Sequence, residues 1–118
     1  MRLFHFIQVP VYTKIVDGFK EKELQRAVEE EIIKNPDGGS PLKGGIQKIR
    51  VHSTERPEGK SGGYRIWFFV DEPDHVYLFY ALDKHDAENL TKAQEKVLET
   101  MVLEAKAEMK KEGKKHGR

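Results

Sequence analysis

The sequence contains no cysteine among its 118 residues. That excludes a disulfide scaffold, a thiolate nucleophile and any thiolate metal site, and it fits a reducing compartment. No apolar run approaches the roughly 20 residues that span a bilayer, and no signal-peptide pattern opens the chain, so a cytoplasmic location without membrane contact is expected. The chain also lacks a GxxxxGKS/T loop, a GxGxxG turn after a strand and an HExxH helix, which removes phosphate-loop, dinucleotide and zincin chemistry. The histidines (His5, His52, His75, His85 and His116) have no metal-ligand spacing, and no serine sits in a nucleophile elbow. No metal and no cofactor are expected.

Strong net charge is missing as well: the formal value is +1. The average conceals a pattern. Between Leu42 and Arg65 lie Lys43, Lys48, Arg50, Arg56, Lys60 and Arg65 against only Glu55 and Glu58. The C-terminal stretch adds Lys106, Lys110, Lys111, Lys114, Lys115 and Arg118 against Glu108 and Glu112. Local basic surface inside a balanced protein points to a phosphate-bearing partner, or else to a solvated face and a basic tail. The hydrophobic fraction, 37%, is lean and the charged fraction, 35%, is high. Periodic apolar positions and 9% aromatic residues still place the chain among globular domains, and its length fits one domain over 1–118.

Along the chain, Leu3 to Tyr12 reads as a first strand interrupted by Pro10. Lys20 to Lys34 reads as a helix, with Leu24, Ala27, Val28 and Ile32 forming one apolar stripe before Asn35-Pro36-Asp37-Gly38-Gly39 stops it. Ile46 to Val51 alternates, with Ile49 and Val51 on one face and Lys48 and Arg50 on the other. Tyr64 to Val70 divides into Tyr64, Ile66, Phe68 and Val70 against Arg65, Trp67 and Phe69, and His75 to Leu82 is a continuous apolar run. Thr91 and Gln94 form a capping box that opens a last helix, whose stripe runs through Ala93, Val97, Leu98, Met101, Val102 and Ala105. About 110–118 reads as a disordered basic tail. The expected fold class is α+β in β-α-β-β-β-α order: an antiparallel sheet of about four strands, two helices on one face and the other face, or part of it, open. Lys48, Arg50 and Arg65 are expected to share that open face.

The constellation that carries chemistry is Lys48, Arg50, Lys60-Ser61-Gly62-Gly63-Tyr64-Arg65 and Lys84-His85-Asp86. Paired glycines let backbone N–H groups approach an anion, and converging cations stabilise the extra charge of a pentavalent phosphate. RNA brings its own nucleophile, the 2′-hydroxyl, so such a site needs only positioning, charge and proton transfer to cleave it. The same residues also read as a tight hairpin loop with ordinary edge cations. Trp67 and Phe69 read either as base-stacking platforms or as core beneath a helix.

These blocks resemble a known family. The matching residues are Val9-Pro10-Val11-Tyr12-Thr13-Lys14, Asn35-Pro36 with its glycines, Gly45-Ile46-Gln47-Lys48-Ile49-Arg50, Gly59-Lys60-Ser61-Gly62-Gly63-Tyr64-Arg65, Val76-Tyr77-Leu78-Phe79 leading to Lys84, and Asp86-Ala87-Glu88-Asn89-Leu90-Thr91. The chain resembles the RelE/HigB toxins of type II toxin–antitoxin systems, in particular the phage-associated HigB-like branch. The resemblance implies a small RelE-like fold and a metal-independent endoribonuclease that enters the ribosomal A site and cleaves mRNA by 2′-hydroxyl attack. It implies the ribosome with its 16S rRNA, mRNA and a helix-turn-helix antitoxin as partners. It assigns Arg65, Lys84 and Lys60 to catalysis and Lys48, Arg50 and Lys43 to RNA binding. Relatives carry tyrosine two residues before the lysine, where this chain has Leu82. Proton transfer then falls to Tyr80, one strand step earlier, or to His52 or His85. A non-catalytic RNA- or ribosome-binding module and a ParE-like gyrase inhibitor are the alternative readings.

Overall fold

In the computed structural model the first extended segment ends early. Strand β1 is His5–Gln8, and helix α1, Pro10–Phe19, follows after a single residue. This corrects the expectation of one strand through Tyr12. Proline at the first helical position has its φ pre-set and gives up an N–H that would be unpaired anyway, while Val9 before it is held extended at φ −68° and ψ 140°. Tyr12, Ile15, Val16 and Phe19 then pack inward at helical spacing. Lys20 ends the helix in the left-handed region at φ 55°.

Helix α2, Leu24–Lys34, buries Leu24, Val28 and Ile32, as its stripe predicts. The strands after it are β2 (Ser40–Pro41), β3 (Gln47–Val51), β4 (Tyr64–Asp71) and β5 (His75–Asp83), and helix α3 is Lys92–His116. Helical backbone therefore runs into the segment read from sequence as a tail. The structure describes residues 4–36, 40–41, 45–55, 63–71, 74–84 and 90–116. Among them, no helix is long and apolar enough to cross a membrane.

The sheet order is β1-β5-β4-β3-β2. The sequential strands pair antiparallel, as expected of a meander. β1 instead lies parallel beside β5, with His5 opposite His75 and Gln8 opposite Leu78, so the sheet is mixed. Chain order explains this: α1 and α2 carry the chain away from β1, and the last strand of the meander returns beside it.

The helices occupy both faces, which corrects the expectation that they lie on one. α1 and α2 cover a core of Tyr12, Leu24, Val28, Ile32, Ile66 and Phe68, among others. α3 covers a second core that contains Trp67, Phe79, Leu98 and Val102. β4 alone requires this, because its alternating residues are apolar on both sides and each side must be shielded from water.

The capping box of α3 is formed as the sequence predicts. Gln94 N donates to Thr91 Oγ1 at 3.1 Å and Thr91 N donates to Gln94 Oε1 at 2.8 Å. Thr91→Ala is expected to cost about 1 kcal/mol in denaturant unfolding. An unchanged midpoint would show that α3 is held by its packing alone.

Candidate functional site

Alternation along β4 sends Tyr64, Ile66 and Phe68 to the core under α1 and α2. Arg65 and Trp67 therefore take the opposite face, beneath or beside α3. Across the β3–β4 ladder, Lys48 is opposite Trp67 and Arg50 is opposite Arg65. Directly opposed residues share a face, so both cations join Arg65 there.

β5 reaches this face by an irregularity. Val76 and Leu78 belong to the first core, and strict alternation would send Tyr80 and Leu82 after them. Trp67 instead pairs with Tyr80 while Phe68 pairs with Leu78, which leaves Phe79 as an extra residue. Phe79, Tyr80 and Leu82 accordingly pack in the α3 cluster, and Ala81 turns to the first core. This β-bulge re-aims the second half of β5. Lys84 follows two residues after Leu82, and its N–H donates to the Gly63 carbonyl at 3.0 Å.

The α3 face thus carries three rungs: Tyr80–Trp67–Lys48, Leu82–Arg65–Arg50 and Lys84–Gly63. Successive rungs lie about 7 Å apart and neighbouring strands about 4.8 Å apart. The start of α3 covers the first rung. Trp67 is 3% exposed, which fixes it as core rather than as a platform for bases. The Tyr80 ring meets Trp67 edge-on at 6.0 Å, and Gln94 Nε2 donates to the Tyr80 hydroxyl oxygen at 3.3 Å. Phe69 is partly buried beneath Lys106, whose Nζ lies 4.9 Å from the ring centroid.

The second rung holds the unusual group. Arg65 is half-buried, and its Nε is buried with no hydrogen-bond partner among the described residues. An unpaired buried donor is costly, more so on a charged group. The guanidinium fork matches carboxylate or phosphate oxygens.

Of the residues singled out in sequence, the structure brings Lys48, Arg50, Arg65 and Tyr80 to this face and places Lys84 just past the end of β5, its backbone bonded to Gly63. His52 is exposed after the end of β3 and lines a shallow depression with Glu30, Glu31 and Lys34 of α2, on the flank of the molecule. Lys43, Lys60 and His85 lie outside the described residues.

Two residues escaped the sequence reading. Gln94 has a detectable signal, its place in the capping box, but the box does not announce the contact to Tyr80. Glu21 has none. It sits between α1 and α2, 8% exposed, and accepts hydrogen bonds from the Ser53 hydroxyl, the Thr54 N–H and hydroxyl, and the Tyr64 hydroxyl. Burial pushes its carboxyl up, but those bonds, led by the Thr54 N–H, outweigh burial and hold it below the ordinary value of 4.5. A lowered folded-state value contributes stability above the unfolded value, and that stability is lost as pH falls through the folded one. The stability gap between the wild type and Glu21→Gln is therefore expected to narrow as pH falls below 4.5. Thermal unfolding across a pH series checks this; parallel curves would remove the carboxylate from the acid response.

Fold and face together define a small α+β protein with a cationic sheet surface built around an arginine whose buried Nε has no hydrogen-bond partner among the described residues. A family model described as the RelE toxin of the RelE / RelB toxin-antitoxin system matches residues 1–115. The chain belongs to this RelE toxin family, and so is the toxin of a pair whose other member is an antitoxin.

Proposed function

We propose that this toxin is a metal-independent, ribosome-dependent endoribonuclease that blocks translation in the cytoplasm by cutting mRNA in the A site. The observation that carries the reading is the buried Nε of Arg65, without a partner among the described residues, on a face shared with Arg50 and Lys48 and close to Lys84 at the end of β5. Like charges directly opposed on neighbouring strands, such as Arg50 and Arg65, destabilise a sheet, and a bound polyanion reverses the sign of that contribution.

In the reaction the 2′-oxygen bonds to the adjacent phosphorus and the bond to the 5′-oxygen breaks, leaving a cyclic phosphate. The 2′-hydroxyl loses a proton and the departing 5′-oxygen gains one. Arg65 and Lys84 contact the scissile phosphate and neutralise its developing charge, joined by Lys60. Lys48, Arg50 and Lys43 hold the RNA backbone of mRNA and 16S rRNA. Tyr80 is the proton-transfer residue this arrangement favours over His52 and His85. Its oxygen accepts from Gln94, which leaves its own hydrogen to donate. A helix-turn-helix antitoxin is the neutralising partner.

A specific observation favours a second reading, a ribosome blocker that does not cut. Leu82, directly opposite Arg65, is apolar and packs into the α3 cluster, so the rung nearest the phosphate lacks a proton-transfer group on β5.

The test is to map mRNA 5′ ends in bacteria after brief induction, comparing the wild type with Lys84→Ala. New cuts inside translated codons, absent in the variant, establish the endoribonuclease. Growth arrest without cuts overturns the endoribonuclease and directs attention to the non-cleaving blocker or to gyrase.

A further inference from the structure

Glu21 is a buried acid that the cleavage chemistry does not touch, yet it joins three segments of the chain. Its Oε1 accepts from Ser53 Oγ at 2.7 Å and from Tyr64 Oη at 2.8 Å. Its Oε2 accepts from Thr54 N at 2.6 Å and Thr54 Oγ1 at 2.8 Å. The neighbouring Lys22 N–H donates to Glu55 Oε2 at 3.2 Å, and Glu55 N donates to Ser53 Oγ at 3.1 Å. The Phe19 ring, at the end of α1, packs on Tyr64 with centroids 4.9 Å apart.

The bound segments are the residues just after β3 and the beginning of β4. Those strand ends carry Arg50 and Arg65, which face each other on one rung. Tyr64 and Arg65 are adjacent, so the phenol is held on one side of the sheet while the guanidinium leaves on the other. Among the described residues, nothing hydrogen-bonds the Arg65 Nε to aim its side chain. Its direction therefore depends on where the first residues of β4 are fixed; the ladders to β3 and β5 hold their backbone, and Glu21 anchors the Tyr64 side chain beside them.

We infer that Glu21 is a positioning residue for Arg65: through Tyr64, Ser53 and Thr54 it sets the rung that presents the guanidinium to the scissile phosphate. The inference rests on the endoribonuclease reading. It differs from a purely stabilising role, in which loss of the carboxylate lowers the unfolding midpoint but leaves each folded molecule as active as before.

The experiment compares full-length wild type, Glu21→Gln and Tyr64→Phe, each well below its own unfolding midpoint. Single-turnover cleavage of ribosome-bound mRNA is followed across ribosome concentrations, and the Arg65 Nε–H resonance is followed by NMR. Glu21→Gln is expected to slow cleavage at saturating ribosomes about tenfold or more, because small misplacements of a charge-stabilising group are costly. The half-saturating ribosome concentration stays unchanged and the Arg65 resonance moves. Tyr64→Phe, which removes one donor and leaves the carboxylate with Ser53 and Thr54, is expected to show the same pattern in milder form, and it carries the test if Glu21→Gln does not fold. Wild-type cleavage rates in folded variants, with only the midpoints lowered, overturn the inference. If the wild type itself does not cut, the endoribonuclease reading falls, and the resonance decides for Glu21 alone: displacement in the variants supports positioning and an unmoved signal refutes it.

Discussion

Arg65→Met is expected to reduce mRNA cleavage about 100- to 1,000-fold while leaving the thermal midpoint unchanged or slightly raised. The two halves of this result have one cause. Nε of Arg65 is buried with no partner among the described residues, so none of them repays the desolvation of this donor. Methionine keeps an unbranched stem of similar reach and removes that donor, and with it the charge that faces Arg50 across the ladder. The loss of rate is the magnitude seen when one preorganised charge-stabilising donor is deleted from a site where charge develops. Arg65→Lys separates charge from shape, since it keeps the cation but not the two-pronged fork, and it is expected to recover only a small part of the activity. Cleavage kinetics and unfolding on the same preparations check both halves. Retained cleavage in Arg65→Met would remove the guanidinium from the chemistry. A midpoint lowered by several degrees would show that Nε has a structural partner outside the described residues.

That a residue so placed persists is a familiar trade between stability and function, in which groups that bind a charged ligand are poorly solvated without it. The cationic face was legible in the sequence because strand alternation alone encodes it. Lys48, Arg50 and Arg65 sit at alternate positions of two short strands with turn residues at their ends, and a period of two assigns them a common side without further information. The stripe of α2 and the capping box of α3 were legible on similar grounds: each needs only local spacing.

What local spacing does not encode was missed. Half of α1 is Val, Tyr, Thr and Ile, residues that favour strands, and its helical state rests on Tyr12, Ile15, Val16 and Phe19 having a core to enter. Proline at its first position and that spacing were the available signals. The bulge at Phe79 lies within an unbroken apolar run, where no polar residue marks which side is which, yet it decides that Tyr80 and Leu82 share a face with Arg65. The parallel pairing of β1 with β5 joins residues 70 positions apart, as His5 with His75. Glu21 looked like one more acid on a charged helix, and its meaning comes only from Ser53, Thr54 and Tyr64 converging on it from other segments.

The largest expected effect on stability lies at Gly63, the position where the cationic face and the Glu21 cluster meet. Its φ is +96°, a conformation that side chains disfavour, and a Cβ there would stand 2.6 Å from the Val51 carbonyl oxygen. The obstructing atom is backbone of the neighbouring strand, so relief requires β3 and β4 to part. Gly63→Ala is expected to cost about 4 kcal/mol from strain and overpacking together, a large share of a small domain's total, and to lower the midpoint by roughly 15 °C. The carbonyl of Gly63 also accepts the Lys84 N–H, and Tyr64 follows it directly, so parting the strands displaces Lys84 and Arg65 as well. Cleavage is therefore expected to fall even at temperatures where Gly63→Ala remains folded. Gly18 supplies the contrast. It is exposed in α1 with nothing within 4 Å of a built Cβ, and Gly18→Ala is expected to stabilise by about 0.5–1 kcal/mol through helix propensity. Paired unfolding curves for the two variants check the argument. Equal midpoints for both would mean that the close approach of Gly63 to Val51 does not constrain the junction of β3 and β4.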